Sequence, residues 1–357
     1  LRKSKKVLFL QFFLILNLVN FLSAYSVKIE LHTKFLLKEG REPLGRPGDI
    51  EVYKKDIWIT DRAFANIKVY NKKGELIKIL GRKGSGPGEF LSPNFIEIEE
   101  NRIFIQDMGH LKYVILDNEF NEIKRFFFLM GAQPFVIYKN KLINYEYYRD
   151  ESVKEFNGVI IDISGKRPKI IKKLMPIKYP KNDAWNRIIS MIGFVDISRK
   201  RKEIYFVKQN KVKIYKFDIE GNFIKSFGKN PPYFIPCRRT KDFDIYLKWG
   251  RAPKGIQAVR KWRKSFSWVC SIFVLEKFLG IVIKNYNNKI KKWEYYCEFY
   301  DFEGNFLDGG RKLKEVGTLF SPERFIIDSN NKDRVYILEI NEDKEPPEYR
   351  FLEYKIM

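Results

Sequence analysis

The chain has 357 residues, 45% hydrophobic and 16% aromatic, which is long and apolar enough to bury a substantial core and excludes a disordered protein. Its formal charge is +24, an excess that favours anionic polymers or anionic surfaces as partners, although AT-rich coding would produce the same bias. Phe (31) and Tyr (20) are abundant and alanines number only seven, so the composition suits short strands better than long helices.

Residues 1–24 read as a secretory signal peptide. Arg2, Lys3, Lys5 and Lys6 form a positive start, Val7 to Leu22 is apolar apart from Gln11, Asn17 and Asn20, and Leu22-Ser23-Ala24 supplies small residues before Tyr25. An uncleaved membrane anchor is the alternative. Export then implies a periplasmic or extracellular site for residues 25–357. Removing those four cations leaves +20, because residues 1–24 contain no acid.

From residue 49 onward the sequence alternates short apolar strands with tight turns. Asp49–Tyr53, Asp56–Asp61, Ile67–Tyr70 and Glu75–Leu80 make a first four-stranded meander, and Phe95–Glu99, Arg102–Asp107, Lys112–Leu116 and Asn121–Phe128 a second. The last turn of each module recurs as Asn71-x-x-Gly74, Asp117-x-x-Phe120, Asp162-x-x-Gly165, Asp218-x-x-Gly221 and Asp301-x-x-Gly304. An Asx side chain closes such a turn on nearby amides, and glycine supplies a positive φ without steric cost. Phe120 breaks the pattern, so that copy is expected to use a different turn. Modules of about 40–50 residues built from short strands indicate a propeller or array. Further modules fall at about 133–174, 189–227 and 267–309, and a sixth begins at Arg324 without a fourth strand of its own. Val27–Leu37 supplies it, so the expected fold is an all-β, six-bladed propeller of four-stranded antiparallel blades closed by N- and C-terminal strands. Inter-blade connections and second-to-third strand loops then share one face, and the Asx turns lie on the other. A second similarity, between Glu89–Ile96 and Leu319–Ile326, marks the approach to two inner strands.

The string Leu80-Gly81-x-x-Gly84-x-Gly86-Pro87-Gly88-Glu89-Phe90, with Pro93, resembles the inter-blade loop of NHL-type six-bladed β-propellers, including exported bacterial ones. Ile57–Asp61 and Ile103–Asp107 are similar to that family's strand-Asp segment. The resemblance is specific over about residues 40–128 and fainter beyond. It implies a fold and a display surface, and it implies protein-binding, nucleic-acid-binding or enzymatic roles without choosing among them.

Candidate chemistry is sparse. The Gly84–Gly88 loop lacks the Lys-Ser/Thr and the helix of a phosphate cradle, so it is read as a turn. Asp61 and Asp107 end equivalent strands and are expected to cap backbone amides rather than to bind a ligand. His32 and His110 are the two histidines, too few for the multi-histidine metal site of some six-bladed lyases and lactonases. No inner strand shows a clear inward acid, so no catalytic residue, metal ligand or cofactor is assigned. Cys270 and Cys297 fall on non-adjacent strands of one blade and, with Cys237, are expected as unbridged thiols.

The basic insertion at 229–265, between the fourth and fifth blades, is the main candidate for recognition. From Lys248 to Lys264 it carries Lys248, Arg251, Lys254, Arg260, Lys261, Arg263 and Lys264, no acid, and interleaved Trp249 and Trp262. Cations beside aromatic faces suit polyanions. The face assignment is expected to bring Arg82, Lys83, Arg311, Lys312 and Lys314 beside this insertion, with His110 in a loop of the same face. The reading is a monomeric, non-enzymatic exported binding or scaffold protein whose loop face takes an envelope protein or an anionic polymer or glycan. Membrane association enters through the basic surface or an uncleaved leader, and nucleic acid is disfavoured by export. A six-bladed hydrolase or lyase with an axial divalent metal is the alternative.

Overall fold

The computed structural model describes residues 27–38, 42–127, 134–145, 148–149, 155–176, 192–313, 325–326, 333–341 and 347–357. The proposed signal peptide, Lys314 and the 319–324 segment lie outside them.

Six antiparallel sheets follow one another along the chain. The strands, from inner to outer, are Pro47–Tyr53, Asp56–Asp61, Asn66–Tyr70 and Leu76–Leu80 in blade 1; Pro93–Glu99, Arg102–Asp107, Lys112–Leu116 and Glu122–Phe127 in blade 2. Blade 3 comprises Phe135–Tyr138, Lys141–Asn144, Glu155–Asp162 and Lys169–Pro176, with Tyr148–Arg149 added against Glu155–Phe156. Blade 4 is Gly193–Ser198, Glu203–Lys208, Ile214–Asp218 and Phe223–Phe227, and blade 5 is Trp268–Val274, Leu279–Asn287, Lys292–Tyr300 and Phe306–Lys312. Blade 6 takes Phe325–Ile326, Arg334–Asn341 and Glu348–Ile356 from the end of the chain and Ile29–Leu36 from its beginning.

The closure expected from the sequence is present. Ile29–Leu36 pairs antiparallel with the last strand, in register from Ile29 opposite Ile356 to Leu36 opposite Arg350. The inner strands touch in sequence order, and that of blade 6 touches that of blade 1, which completes the ring. Closure removes the exposed edge that an open array would carry.

Among the described residues the core divides into six clusters, one at each blade junction. Ile67 and Val69 of blade 1 meet Ile96, Ile105 and Val114 of blade 2, and Tyr336 and Phe351 of blade 6 meet Ile50, Ile57 and Tyr70 of blade 1. The third strand of blade 1, Asn66–Tyr70, is buried throughout because neighbouring blades cover both of its faces. Each fully buried Ile, Val or Phe there contributes roughly 1.5–3 kcal/mol. Cys270 and Cys297, in the inner and third strands of blade 5, are buried, and all three cysteines are unbridged.

Polar groups fix which loops share a face. Arg62 N donates to Arg46 O at 2.9 Å, Met108 N to Ser92 O at 2.9 Å and Gln209 N to Ile192 O at 3.0 Å, joining second-to-third strand loops to inter-blade connections. The Asx turns lie on the opposite face, where outer-strand lysines latch onto the next blade. Lys124 Nζ donates to Ile163 O at 3.1 Å, Lys172 Nζ to Asn222 Oδ1 at 3.1 Å and Lys225 Nζ to Glu303 O at 2.5 Å. Part of the chain's positive charge is therefore structural.

The turn expectation reverses at two copies. Phe120 takes φ 71°, as Gly221 takes 81°, and Asp117 Oδ1 accepts from Glu119 N and Asn121 N as Asp218 Oδ1 does from Glu220 N and Asn222 N. The second copy thus uses the same turn. Four Asp117 contacts hold its backbone, and the Phe120 ring packs edge-on against Phe90 at 6.3 Å, offsetting the cost of a left-handed phenylalanine. Gly165 is the copy that departs, since it lies outside the positive-φ residues.

Candidate binding face

The segment after Phe227 folds into a helical hairpin, a feature the all-β reading did not anticipate. Helix α1 spans Lys241–Trp249 and helix α2 spans Pro253–Arg263. Asp242 and Asp244 occupy the first turn of α1, where carboxylates suit the helix dipole, and Pro253 starts α2 where its missing N–H costs nothing. Gly250 turns the chain with φ 53°, and a Cβ on Gly255 would sit 2.2 Å from Gly250 O, so this tight turn requires glycine at 255.

Gly255, Ala258 and Trp262 form the buried stripe of α2. Trp262 is 5% exposed, 4.8 Å from Phe243 and 4.8 Å from Phe266 between ring centroids, and its Nε1 donates to Arg238 O at 3.2 Å. It is therefore a core residue and not a contact residue, a correction to the sequence reading. The hairpin belongs to the cluster at the junction of blades 5 and 6, with Leu313, Val335 and Ile356.

The outer surface of the hairpin is different. Trp249 is 46% exposed, Leu247 and Ile256 of the same hairpin are also exposed, and Lys254 Nζ lies 5.2 Å from the Trp249 ring centroid. Lys248, Arg251 and Arg260 are exposed, and among the described residues none has a carboxylate within ion-pair distance. Lys261 approaches Asp242 at 3.6 Å and Arg239 pairs with Asp244 at 2.7 Å. Arg263 lies 5.9 Å from the Trp268 ring, and Lys264 lies 4.5 Å from that of Tyr286, which docks the hairpin on the long second strand of blade 5. Over 229–265 there are eleven Lys or Arg and two Asp.

Of the other predicted contacts, Arg311 and Lys312 adjoin the insertion, since Leu313 packs in the hairpin's cluster and Tyr233 lies 4.8 Å from Tyr296, the sheet partner of Lys312; Arg82, Lys83 and His110 are not gathered beside it. Arg82 and Lys83 lie between blades 1 and 2, two junctions around the ring from the blade 5–6 junction on which the hairpin packs, and Arg82 Nε pairs with Glu89 at 2.8 Å. Same face therefore does not mean same patch. His110 is engaged on both nitrogens: Nδ1 lies 2.6 Å from Asp107 Oδ2 and Nε2 lies 2.9 Å from Ser85 Oγ, which ties two loops together. Arg311 pairs with Asp308 at 2.9 Å and Lys312 with Glu294 at 2.5 Å.

Asp61 and Asp107 have the capping role expected of them. Asp61 accepts from the amides of Gly45, Arg46 and Ala63 and from Lys68 Nζ at 2.8 Å; Asp107 accepts from those of Leu91, Ser92 and Gly109. Burial opposes ionisation of Asp61, but Lys68 and the amides outweigh it and hold its carboxyl below the usual range.

Inner strands do carry carboxylates, contrary to the sequence reading. Arg199, in the first turn of blade 4, places Nη2 2.8 Å from Glu97 Oε1 of blade 2 and 3.3 Å from Ile137 O of blade 3, with Nε 3.6 Å from Glu99. Asp196 accepts from its own strand at Ile197 N and from Val274 N of blade 5. Burial raises Glu97, and raises Glu99 and Asp196 to about 7 each. These groups serve a guanidinium and backbone amides. Among the described residues, no group of three or more His, Cys, Asp or Glu is arranged to hold a metal. The spacing Glu97-x-Glu99 on an inner strand was the available signal, and Arg199 gave none.

Residues 29–195 match the model of the six-bladed β-propeller family DUF5128. A member of the DUF4221 family from Bacteroides vulgatus is similar in structure, with TM-score 0.64 and 9% identity over 93% of this chain and 99% of that one. A candidate exported protein from Bacteroides fragilis is similar too, with TM-score 0.61 and 16% identity over 92% and 95%. At such identities the likeness is one of fold. None of the curated proteins matches the chain. Among the described residues no helix is long and apolar enough to cross a membrane.

Proposed function

We propose that the chain is an exported, non-enzymatic binding protein whose inter-blade face takes an anionic glycan or similar polymer of the cell envelope, with the helical hairpin as principal contact. One observation carries the reading: among the described residues, Lys248, Arg251 and Arg260 stand in solvent without carboxylate partners, on the same hairpin as an exposed Trp249. Basic groups elsewhere on this face, such as Arg82 and Lys312, are already paired. Unpaired cations lose little on meeting a polyanion, because no internal ion pair has to break, and Trp249 adds a large apolar face. Likeness to a candidate exported protein supports the compartment that the N-terminal sequence suggests.

The test is retention of the full chain on immobilised heparin, compared with the triple variant Lys248→Glu, Arg251→Glu and Arg260→Glu. The variant should elute at lower salt, and its binding should depend on salt less steeply, by roughly one unit of log–log slope for each cation that had engaged the polymer. Unchanged elution removes the hairpin as the binding element.

A further inference from the structure

A second basic feature lies at the root of the hairpin, in the loop that joins the second and third strands of blade 4. Gln209 and Val212 are fixed in place: Val269 N donates to Gln209 O at 2.8 Å, and Val212 N donates to Asn230 Oδ1 at 2.8 Å. Lys213 N donates to Lys211 O at 3.0 Å, a turn that sets these two lysines on either side of the buried Val212. Lys208, at the end of the preceding strand, and Lys213, just before the following one, share one aromatic ring. Their Nζ atoms lie 5.9 Å and 5.5 Å from the Tyr215 centroid. All three lysines are half-buried, and residues 208–213 contain no acid. Among the described residues, neither Lys211 nor Lys213 has a carboxylate within ion-pair distance.

Half-burying Lys211 and Lys213 together on a pinned loop is unfavourable unless a counter-charge joins them. The ammonium groups register that cost. Burial, with repulsion from Lys211 and Lys213, brings Lys208 down to about 8, and burial with Lys213 lowers Lys211. The loop contains no arginine, so it offers compact ammonium point charges, the form in which lysine binds phosphate groups.

We infer that Lys208, Lys211 and Lys213 form a binding site for a compact tetrahedral oxyanion, a phosphate or sulfate group, at the base of the hairpin. The site rests on the proposed reading of this face and makes it more specific. The polymer that meets the hairpin would carry phosphate or sulfate esters, one of which seats on the lysines.

The experiment uses the full chain and inorganic tripolyphosphate as probe, followed by calorimetry at low salt. Wild type should bind saturably. The variant Lys211→Gln, Lys213→Gln should bind at least about tenfold more weakly, as expected when charge-assisted hydrogen bonds are removed. The hairpin triple variant should bind like wild type. Tripolyphosphate should also protect Lys208, Lys211 and Lys213 of the wild-type chain from acetylation, read residue by residue. Displacement of the probe by heparin would identify a sulfated polymer as the source of the group, and displacement by inorganic phosphate alone would identify a phosphate. No saturable binding, equal binding by the double variant, or protection confined to other lysines overturns the site. The two claims fail separately. If heparin retention survives the hairpin variant but not the loop variant, the hairpin falls and this site stands. If the hairpin variant alone loses both ligands, this site falls.

Discussion

Arg199 of blade 4 reaches past blade 3 to Glu97 of blade 2, with Nη2 2.8 Å from Oε1, so one guanidinium joins three blades near the axis. Burial raises Glu99 and Asp196, both near Arg199, to about 7. A carboxyl raised on folding holds its proton more tightly in the folded state. Its stabilisation is complete below the unfolded value near 4 and is lost as pH rises through about 7. Each group is then worth about 3–4 kcal/mol between those limits. Asp61, held low, acts in the opposite sense below about pH 4. Urea midpoints should therefore fall from pH 5 to 8, and Glu99→Gln should make that fall shallower. Parallel pH profiles for the two proteins would contradict the assignment.

The two tryptophans of the hairpin should separate stability from binding. Trp262→Ala removes a buried ring packed on Phe243 and Phe266 and should cost about 3–5 kcal/mol. Trp249→Ala removes an exposed ring and should leave the thermal midpoint within about 2 °C, corresponding to a change under roughly 0.5 kcal/mol. It should nonetheless lower heparin affinity. A large drop in stability for Trp249→Ala would show that the exposed surface is packing and not a binding surface.

The Asx turns give a paired test. Gly221 takes φ 81°, and a Cβ there would meet Lys172 Cγ at 2.7 Å, so Gly221→Ala should destabilise by about 1–2 kcal/mol or more. Gly165 has an ordinary φ, and its Cβ would meet only Arg167 O at 3.6 Å. Gly165→Ala should be neutral or stabilising by up to about 1 kcal/mol, through the unfolded chain. Denaturant midpoints of the two variants decide it; equal destabilisation would contradict the turn assignment.

Closure of the ring should be a stability determinant in its own right. Phe35 of the first strand stacks on Phe351 of the last at 5.2 Å, and Phe351 stacks on Tyr336 at 5.5 Å. Phe351→Ala should cost about 3–5 kcal/mol. Hydrogen exchange in residues 29–36 should rise with it, since that strand has Glu348–Ile356 as its sheet neighbour. Unchanged exchange there would mean that the N-terminal strand is held by something else.

The blade count and the closure were legible because turn spacing and strand alternation repeat, and a blade lacking its fourth strand calls for one. Other features were not, for physical reasons. Phe120 looked incompatible with the turn because propensity ranks glycine first, yet the Asp117 contacts and the Phe90 ring hold it there. The helices were hidden because nine and eleven residues are too few to be stable alone; burial of Phe243 and Trp262 against the blades holds them. Trp249 and Trp262 look alike in the sequence, and only the 255, 258, 262 stripe separates the buried one from the exposed one. Arg82 was placed on the correct face, but a face assignment carries no angle around the ring.

Hydrogen exchange of the full chain with and without heparin locates the binding surface directly. Protection should appear in peptides covering residues 241–263 on the inter-blade face, while the Asx turns at 71–75, 218–222 and 301–305 remain unchanged. Protection confined to those turns, or none at a heparin concentration that retards the chain on a column, would contradict the account.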